Sequence, residues 1–310
     1  MDEKPFWNIV VPVWDGQYIG QFVLATLPAI RAALAHSQSK AKFLIYTDVE
    51  GISALAPLFS PQEVSFLHVH CAADGQYQYR VHEWLGIIHR SAIRNVETGT
   101  ALAMINADMV PSLEVFGVAE RQFALGRRLI MCAATRTMTE DHPPIGASSR
   151  QVLDWTWDHR HPWISDCIWG SGRTRDPALI YFDDGHNVIA HGFHLHPFAF
   201  FADGRRLDFL GYSIDDDFPL AFRTDEIHVV TDADEMAFAE VSRGAQTHRF
   251  RRQDKPMTAE DIARWARRYT HARHRWLFGH PIVLRGHPKD LVDKQVCHDI
   301  VTAFEAKEAA

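Results

Sequence analysis

The stretch "GTALAMINADMVPS", residues 99–112, joins an apolar segment to two polar side chains and then to a turn. Residues 101–105 are apolar and predict a buried strand. Successive side chains of a strand point to opposite faces, so Asn106 and Asp108 would point the same way if the strand continued through them. The stretch therefore predicts a strand whose end can present an amide and a carboxylate to one ligand.

Strand-like and helix-like segments alternate through the first half of the chain. Strands are predicted over 7–14, 41–48, 63–70, 101–105 and 127–137, and helices over 21–34 and 79–96. This alternation predicts an α/β fold with a mostly parallel sheet covered by helices, and ligands bind such sheets beyond the carboxyl ends of the strands.

The second half is less regular, and its clearest elements are two C-terminal helices. They are predicted over 258–269, with Thr258 as the N-cap, and over 291–306. We expect an α/β half over 1–135 and an irregular half over 136–310, which together share one continuous sheet.

Composition excludes several classes of protein. The chain has 310 residues and a net charge of −7, so bulk attraction to nucleic acid is not expected. Four scattered cysteines without C-x-x-C spacing argue against a zinc knot or a disulfide framework. We find no apolar run of 18 residues and no signal peptide, and we expect a cytoplasmic protein.

Positive charge is concentrated in residues 243–275, which hold ten Arg or Lys against three acids. Such a segment is either a solvated helix face or a surface for phosphate or anionic lipid. The second reading predicts a peripheral contact with the inner face of a membrane.

The Asn106–Asp108 element suits a hard divalent cation such as Mg²⁺ or Mn²⁺, which binds oxygen ligands. The strand followed by N-x-D resembles the GT-A glycosyltransferases, which transfer a sugar from a nucleotide-diphosphate sugar. The resemblance covers about residues 7–135, including "IVVPVW", "KFLIYTD", "HRSAIRN" and "GTALAMINADMV". The sequence has N-x-D where the family usually has D-x-D.

The resemblance implies roles for several residues of the first half and for one histidine of the second. Asp108 would be the main metal ligand, with His196 closing the metal site. Pro12, Val13, Asp48 and Asn106 would line the nucleotide pocket. The implied activity is metal-assisted glycosyl transfer from a nucleotide-sugar donor to a saccharide or lipid-linked acceptor.

Two segments of the second half are candidates for the acceptor side of the site. "GYSIDDDFPL" contains three consecutive acids, of which Asp215 or Asp216 would deprotonate the acceptor hydroxyl if the enzyme inverts configuration. "DWTWDHRHPW" contains Trp155, Trp157 and Asp158. We expect these residues to bind the acceptor, because indole faces stack on sugars and a carboxylate can bind a hydroxyl. The alternatives are an acidic surface loop and core tryptophans.

Two other functions are compatible with the sequence. His191, His194 and His196, together with nearby carboxylates, suggest a metal-dependent hydrolase or oxygenase. Asn106, in place of an acid, suggests instead a module that binds a nucleotide sugar without transferring it. Phosphate-loop, dinucleotide-binding and G-x-S-x-G motifs are absent from the sequence.

Overall fold

A computed structural model describes residues 4–69, 77–138, 141–174, 177–207, 213–232, 234–242, 253–286 and 293–305. In chain order the strands are β1 (Trp7–Pro12), β2 (Ala41–Thr47), β3 (Val64–His68), β4 (Ala101–Met104), β5 (Met109–Pro111), β6 (Leu129–Cys132), β7 (Ala134–Met138), β8 (Leu179–Asp183), β9 (Val188–Gly192), β10 (His196–Phe201), β11 (Ile227–Val229), β12 (Phe238–Ser242) and β13 (Ile282–Arg285). The helices are α1 (Gly16–Gln21), α2 (Leu27–Ser37), α3 (Val49–Leu55), α4 (Tyr77–Asn95), α5 (Val115–Ala124), α6 (Ser149–Asp158), α7 (Pro162–Asp166), α8 (Ala259–Tyr269), α9 (Ala272–Phe278) and α10 (Asp293–Glu305).

Within the described ranges, seven strands form the main sheet in the order β3-β2-β1-β4-β10-β6-β11. Strands β1 to β4 are parallel to one another, β10 is antiparallel to both β4 and β6, and β11 is parallel to β6. The predicted fold class is therefore confirmed: the protein is α/β with a mostly parallel sheet flanked by helices.

The main sheet separates two hydrophobic cores. Alternate residues of β1 point to opposite faces, and Ile9 and Val10 are both completely buried. Val10 belongs to the core that contains Ile88 of α4, whereas Ile9 belongs to the core that contains Phe116 of α5. Burial of both faces explains why β1 is an almost continuous apolar run rather than an alternating one.

Two smaller sheets lie beside the main one in the described part of the chain. Their orders are β5-β12-β7 and β13-β9-β8. The predicted strand over 127–137 is wrong as a single strand, because the chain leaves the main sheet after β6 and enters the second sheet as β7. The residue between them, Ala133, is the point at which the chain changes sheets.

The two halves of the chain contribute to the same main sheet. Strands β10 and β11 come from the second half, and β6 of the first half contacts β4 only across β10. The expected division between residues 135 and 136 falls inside β7.

One helical run of the described residues, Gly16–Ser37, is long and apolar enough by length and composition to cross a membrane. It includes α1, a π-helical turn over Phe22–Thr26, and α2. Phe22 and Ile30 are completely buried in the core on the α5 side of the sheet. Core helices of proteins pass the same test, and 44% of the apolar window of this run is buried.

Cys132, Cys167 and Cys297 are free thiols, and Cys71 lies outside the described residues.

Candidate functional site

Asn106 and Asp108 lie in a turn rather than on a strand. β4 ends at Met104, and the backbone N–H of Met109 donates to the carbonyl of Asn106 at 3.0 Å. The chain turns here because it leaves the main sheet and enters β5 of the second sheet. The assumption that the two side chains share a strand face is therefore wrong, whereas the position at the carboxyl end of β4 is as predicted.

The turn brings Asp108 beside Glu240 of β12. Glu240 is directly opposite Met109 in the β5–β12 ladder and opposite Arg136 in the β7–β12 ladder. The N–H of Val241 donates to the carbonyl of Asp108 at 2.8 Å, which holds the turn against β12. Two carboxylates from distant parts of the sequence therefore face one location.

Charge around Asp108 is only partly compensated. Burial, followed by the nearby charge of Glu240, raises the pKa of Asp108 to about 7, and Arg136 acts in the opposite direction. Arg136 forms an ion pair with Glu240, and its guanidinium lies 4.9 Å from the centre of the Trp163 ring. Arg136 therefore acts on two carboxylates: it contacts Glu240 directly, and its charge acts on Asp108.

Tyr18 of α1 approaches the same carboxylates. Burial and the charges of Asp108 and Glu240 raise the pKa of the Tyr18 phenol above its usual value. The phenol is therefore neutral over the physiological range.

The residues of the turn fit a hard divalent cation. The Oδ1 atom of Asn106, two residues before Asp108 in the chain, is buried and has no hydrogen-bond partner. Mg²⁺ uses one or two protein carboxylates and takes its other ligands from water and substrate phosphate. Among the residues that the structure describes, no group of three or more His, Cys, Asp or Glu side chains is arranged to hold a metal. A cation here would thus depend on substrate or water for most of its ligands.

His196 lies at the start of β10, at the same edge of the main sheet as the end of β4. Its Nε2 donates to the carbonyl of Met104 at 2.8 Å, so this nitrogen carries a proton and has no lone pair for a metal. The pKa of His196 lies below its ordinary value because burial lowers it. The hydrogen bond to Met104 and the charges of Asp215 and Glu240 act in the opposite direction. His196 therefore lies within electrostatic reach of both the turn and the acidic loop.

His89 of α4 is a further polar side chain in this region. The ring is only 3% exposed, and neither Nδ1 nor Nε2 has a hydrogen-bond partner. Burial lowers its pKa to about 3, with His196 and Asp215 as the nearby titratable groups. His89 is therefore a buried neutral imidazole whose donor and acceptor have no protein partner.

Asp215 and Asp216 lie in a turn before a 3₁₀ helix at Phe218–Ala221. Both residues are half-buried, and their role as the base stays a prediction. Burial, followed by the charge of Asp215, raises the pKa of Asp216 above its ordinary value, which makes this carboxylate a stronger base.

The predicted nucleotide-binding residues at the ends of β1 and β2 have local structural partners. Pro12 and Val13 are buried, and the N–H of Val13 donates to the carbonyl of Tyr46 at 2.9 Å. Asp48 is the N-cap of α3, and its side chain accepts from the N–H of Gly51 at 2.7 Å. A nucleotide role for these residues stays a prediction.

The predicted acceptor residues lie on α6 and face different surroundings. Trp157 is 5% exposed and packs in the core, with its ring centre 5.7 Å from that of Tyr181. Trp155 stacks on His159 at 4.4 Å, and Asp158 lies 3.6 Å from Nη1 of Arg285. The core alternative holds for Trp157, and acceptor binding by Trp155 and Asp158 stays a prediction.

The histidines of the alternative metal site have separate partners. His191 on β9 uses its Nδ1 to contact the carbonyl of Phe278 at 2.9 Å. The His194 ring lies 4.0 Å from that of His274, and His196 is bound to Met104. A turn separates β9 from β10, so His194 and His196 do not share the face of one strand.

The basic region is only partly described. Residues 243–252 lie outside the described residues. In the remainder, Lys255 and Arg264 pair with Asp261, and Arg267 pairs with Glu260. Part of the positive charge is therefore matched by acids of α8, and membrane contact stays a prediction.

Sequence reasoning did not find Glu240, Arg136 or Tyr18 as site residues. Glu240 and Arg136 are charged residues within otherwise uncharged strand segments, "FAEVS" and "ATRTM". That feature marks them as unusual, but only the pairing of β12 with β5 and β7 brings them to Asp108.

Comparisons with known proteins identify no family for the chain. No family model matches it, and no curated protein matches it. Among solved structures, it is similar to a 4-diphosphocytidyl-2C-methyl-D-erythritol synthase from Anaerococcus prevotii, with 6% identity and a TM-score of 0.30. The match covers 45% of this chain and 59% of that one, less than two thirds of that protein's length. A similarity this weak is no basis for an inference about function.

Proposed function

We propose that this protein is a transferase that moves a sugar from a nucleotide-diphosphate sugar to a hydroxyl acceptor with the help of Mn²⁺ or Mg²⁺. The observation that carries the proposal is the half-buried carboxylate of Asp108 beside Glu240 at the carboxyl end of β4. Ligands bind α/β sheets at this edge, and a divalent cation would relieve the repulsion between the two carboxylates.

Asn106, Asp108 and Glu240 would hold the cation on their side-chain oxygens. When bound, the metal would neutralise negative charge on the departing diphosphate. Asn106 would use the buried Oδ1 that has no donor in the folded chain. Arg136 would keep Glu240 in place through their ion pair.

The acceptor hydroxyl would be deprotonated by Asp215 or Asp216. The hydroxyl proton passes to a carboxylate oxygen, the hydroxyl oxygen bonds to the anomeric carbon, and the bond from that carbon to the diphosphate oxygen breaks. These reaction steps are those of an inverting enzyme. The raised pKa of Asp216 and its half-buried position support the assignment.

A module that binds the nucleotide sugar without turnover is the second candidate, and the amide of Asn106 favours it because an amide is a weaker metal ligand than a carboxylate. For the transferase, the acceptor would be a saccharide or a lipid-linked acceptor. We place the protein in the cytoplasm, with residues 243–275 as the segment for peripheral membrane contact.

Turnover separates the two candidates. UDP-, GDP-, CDP- and TDP-sugars would be incubated with the protein, Mn²⁺ and saccharide acceptors, and release of the nucleoside diphosphate would be measured. We expect release with one nucleotide, lost in Asp108→Asn and retained in the exposed control Asp299→Asn. Binding without release would support the module, and neither binding nor release would refute both.

A further inference from the structure

Two histidines at the start of α9 cap the helix reciprocally. His271 is the N-cap, and its Nδ1 accepts from the N–H of Arg273 at 3.2 Å. Three positions later, Nδ1 of His274 accepts from the N–H of His271 at 3.4 Å. The two rings are stacked, with centres 3.8 Å apart and planes 18° apart.

The opposite nitrogens of the two rings reach the acidic loop. Nε2 of His271 donates to the carbonyl of Asp216 at 2.7 Å, and Nε2 of His274 donates to the carbonyl of Asp215 at 2.8 Å. Each ring therefore accepts at Nδ1 and donates at Nε2, which only the neutral Nε2–H tautomer can do. Two consecutive carbonyls of the loop are fixed to the first turn of one helix.

A third residue of α9 binds the other end of the same segment. Nη2 of Arg273 donates to the carbonyl of Phe222 at 2.7 Å, just after the 3₁₀ helix. The segment between these contacts includes Phe218, which is completely buried. The loop is thus held at Asp215, Asp216 and Phe222 from one helix.

We propose that His271 and His274 are positioning residues that fix the direction of the Asp215 and Asp216 carboxylates in the site. The proposal rests on the proposed function, in which one of these carboxylates accepts the proton of the acceptor hydroxyl. Fixing these two consecutive peptide groups sets the orientation of the Asp216 Cα–Cβ bond, which lies between them, and the first group also directly follows the Cα of Asp215. Neither histidine touches substrate in this account.

The surroundings of the two rings keep them neutral. Burial lowers the pKa of both, to about 3 for His274, and the charged or titratable groups that act on them are His194, Asp215, Asp216 and Asp217, together with the neighbouring ring. The tautomer that the geometry requires is therefore the form present at physiological pH.

The test compares His271→Leu and His274→Leu, which lose both ring hydrogen bonds, with His274→Gln, which keeps a donor and an acceptor. The control is His280→Gln, because the His280 Nδ1 contacts the carbonyl of Trp276 at the other end of α9. Hydrogen–deuterium exchange of residues 213–222 is measured together with kcat and KM for the nucleotide sugar.

We expect the leucine variants to exchange at least about tenfold faster in residues 213–222, with β1 and β4 unchanged. Their kcat should fall at least about tenfold, while KM and the stabilisation by nucleotide and Mn²⁺ stay the same. His274→Gln should lie close to the wild type, and His280→Gln should be indistinguishable from it.

Unchanged exchange in the loop would overturn the proposal, because the histidines would not hold it. Faster exchange with unchanged kcat would also overturn it, because loop position would not matter for transfer. If the wild-type protein neither binds nor turns over any nucleotide sugar, the proposed function fails and the catalytic part of this proposal fails with it. The exchange data would still decide whether the two histidines fix the loop.

Discussion

Asp108 is a carboxyl group in a place where its negative charge is unfavourable. Burial removes water from it, and Glu240 adds a second negative charge, while the nearby arginine is already paired with Glu240. Perturbed carboxylates of this kind are concentrated at functional sites. The electrostatic state of this one residue is the basis of the proposed function, and two predictions follow from it.

Glu240→Gln should lower the pKa of Asp108 from about 7 toward the ordinary value, because it removes a negative neighbour and leaves Arg136 in place. Carbon-13 NMR titration of the Asp108 carboxyl measures this directly. Asp299→Asn, on the exposed face of α10, should leave the titration unchanged. An Asp108 midpoint that does not move in Glu240→Gln would contradict the proximity of the two carboxylates.

Asp108 should also make folding stability depend on pH. Its pKa is raised in the folded state, so its contribution is fully present below the ordinary value of 3.8 and is lost as pH rises through about 7. Urea unfolding at pH 5 and pH 7.5, without metal, should show a smaller loss of stability in Asp108→Asn than in the wild type. Equal losses in both proteins would show that Asp108 titrates normally.

At the scale of elements, hydrophobic periodicity was sufficient to predict most of the first half. The spans of β1, β2, β4 and α4 agree with prediction to within a few residues, and Thr258 caps α8 through the N–H of Asp261 at 3.1 Å. The pattern failed where the chain changes sheets without a turn signal, between β6 and β7. Periodicity reports which positions of a strand are buried and not which strand it pairs with, so the fully buried β6 and the alternately buried β7 were predicted as one strand.

The start of α3 contains a close contact that sequence patterns do not reveal. A Cβ on Gly51 would lie 1.8 Å from Oγ1 of Thr47, whereas a Cβ on Gly117 in α5 would have no neighbour closer than 3.8 Å. Gly51→Ala should therefore destabilise the protein by about 1–3 kcal/mol. Gly117→Ala should stabilise it by up to about 1 kcal/mol, because alanine favours helix.

Denaturant unfolding of the two alanine variants, compared with the wild type, measures both effects. A neutral Gly51→Ala would show that Thr47 can move away at little cost.

At the scale of the whole molecule, the site is formed by segments distant in sequence. Asp108, Glu240, His196 and Asp215 come from four different connections or strands, and only the sheet topology brings them within electrostatic reach. The sequence indicated three of these residues, because each adjoins a recognisable motif. It did not indicate Glu240, because the pairing of β12 with β5 joins positions about 130 residues apart, and no local pattern records that pairing.

The shared main sheet predicts that the two halves do not fold separately. A fragment of residues 1–135 lacks β10, so β6 has no partner that links it to β4. We expect this fragment to show no cooperative unfolding and rapid proteolysis, whereas the full chain unfolds in one transition. Circular dichroism and limited proteolysis check the outcome. A stable, cooperatively folded fragment would establish two independent domains.

Thermal stability with UDP, GDP, CDP or TDP, each with and without Mn²⁺, tests the metal–nucleotide site most directly. The wild type and Asp108→Asn would be compared. We predict an upward shift of Tm that requires both one diphosphate and the metal and is absent in Asp108→Asn. A shift that persists in Asp108→Asn, or no shift with any combination, would contradict a metal–nucleotide site at the carboxyl end of β4.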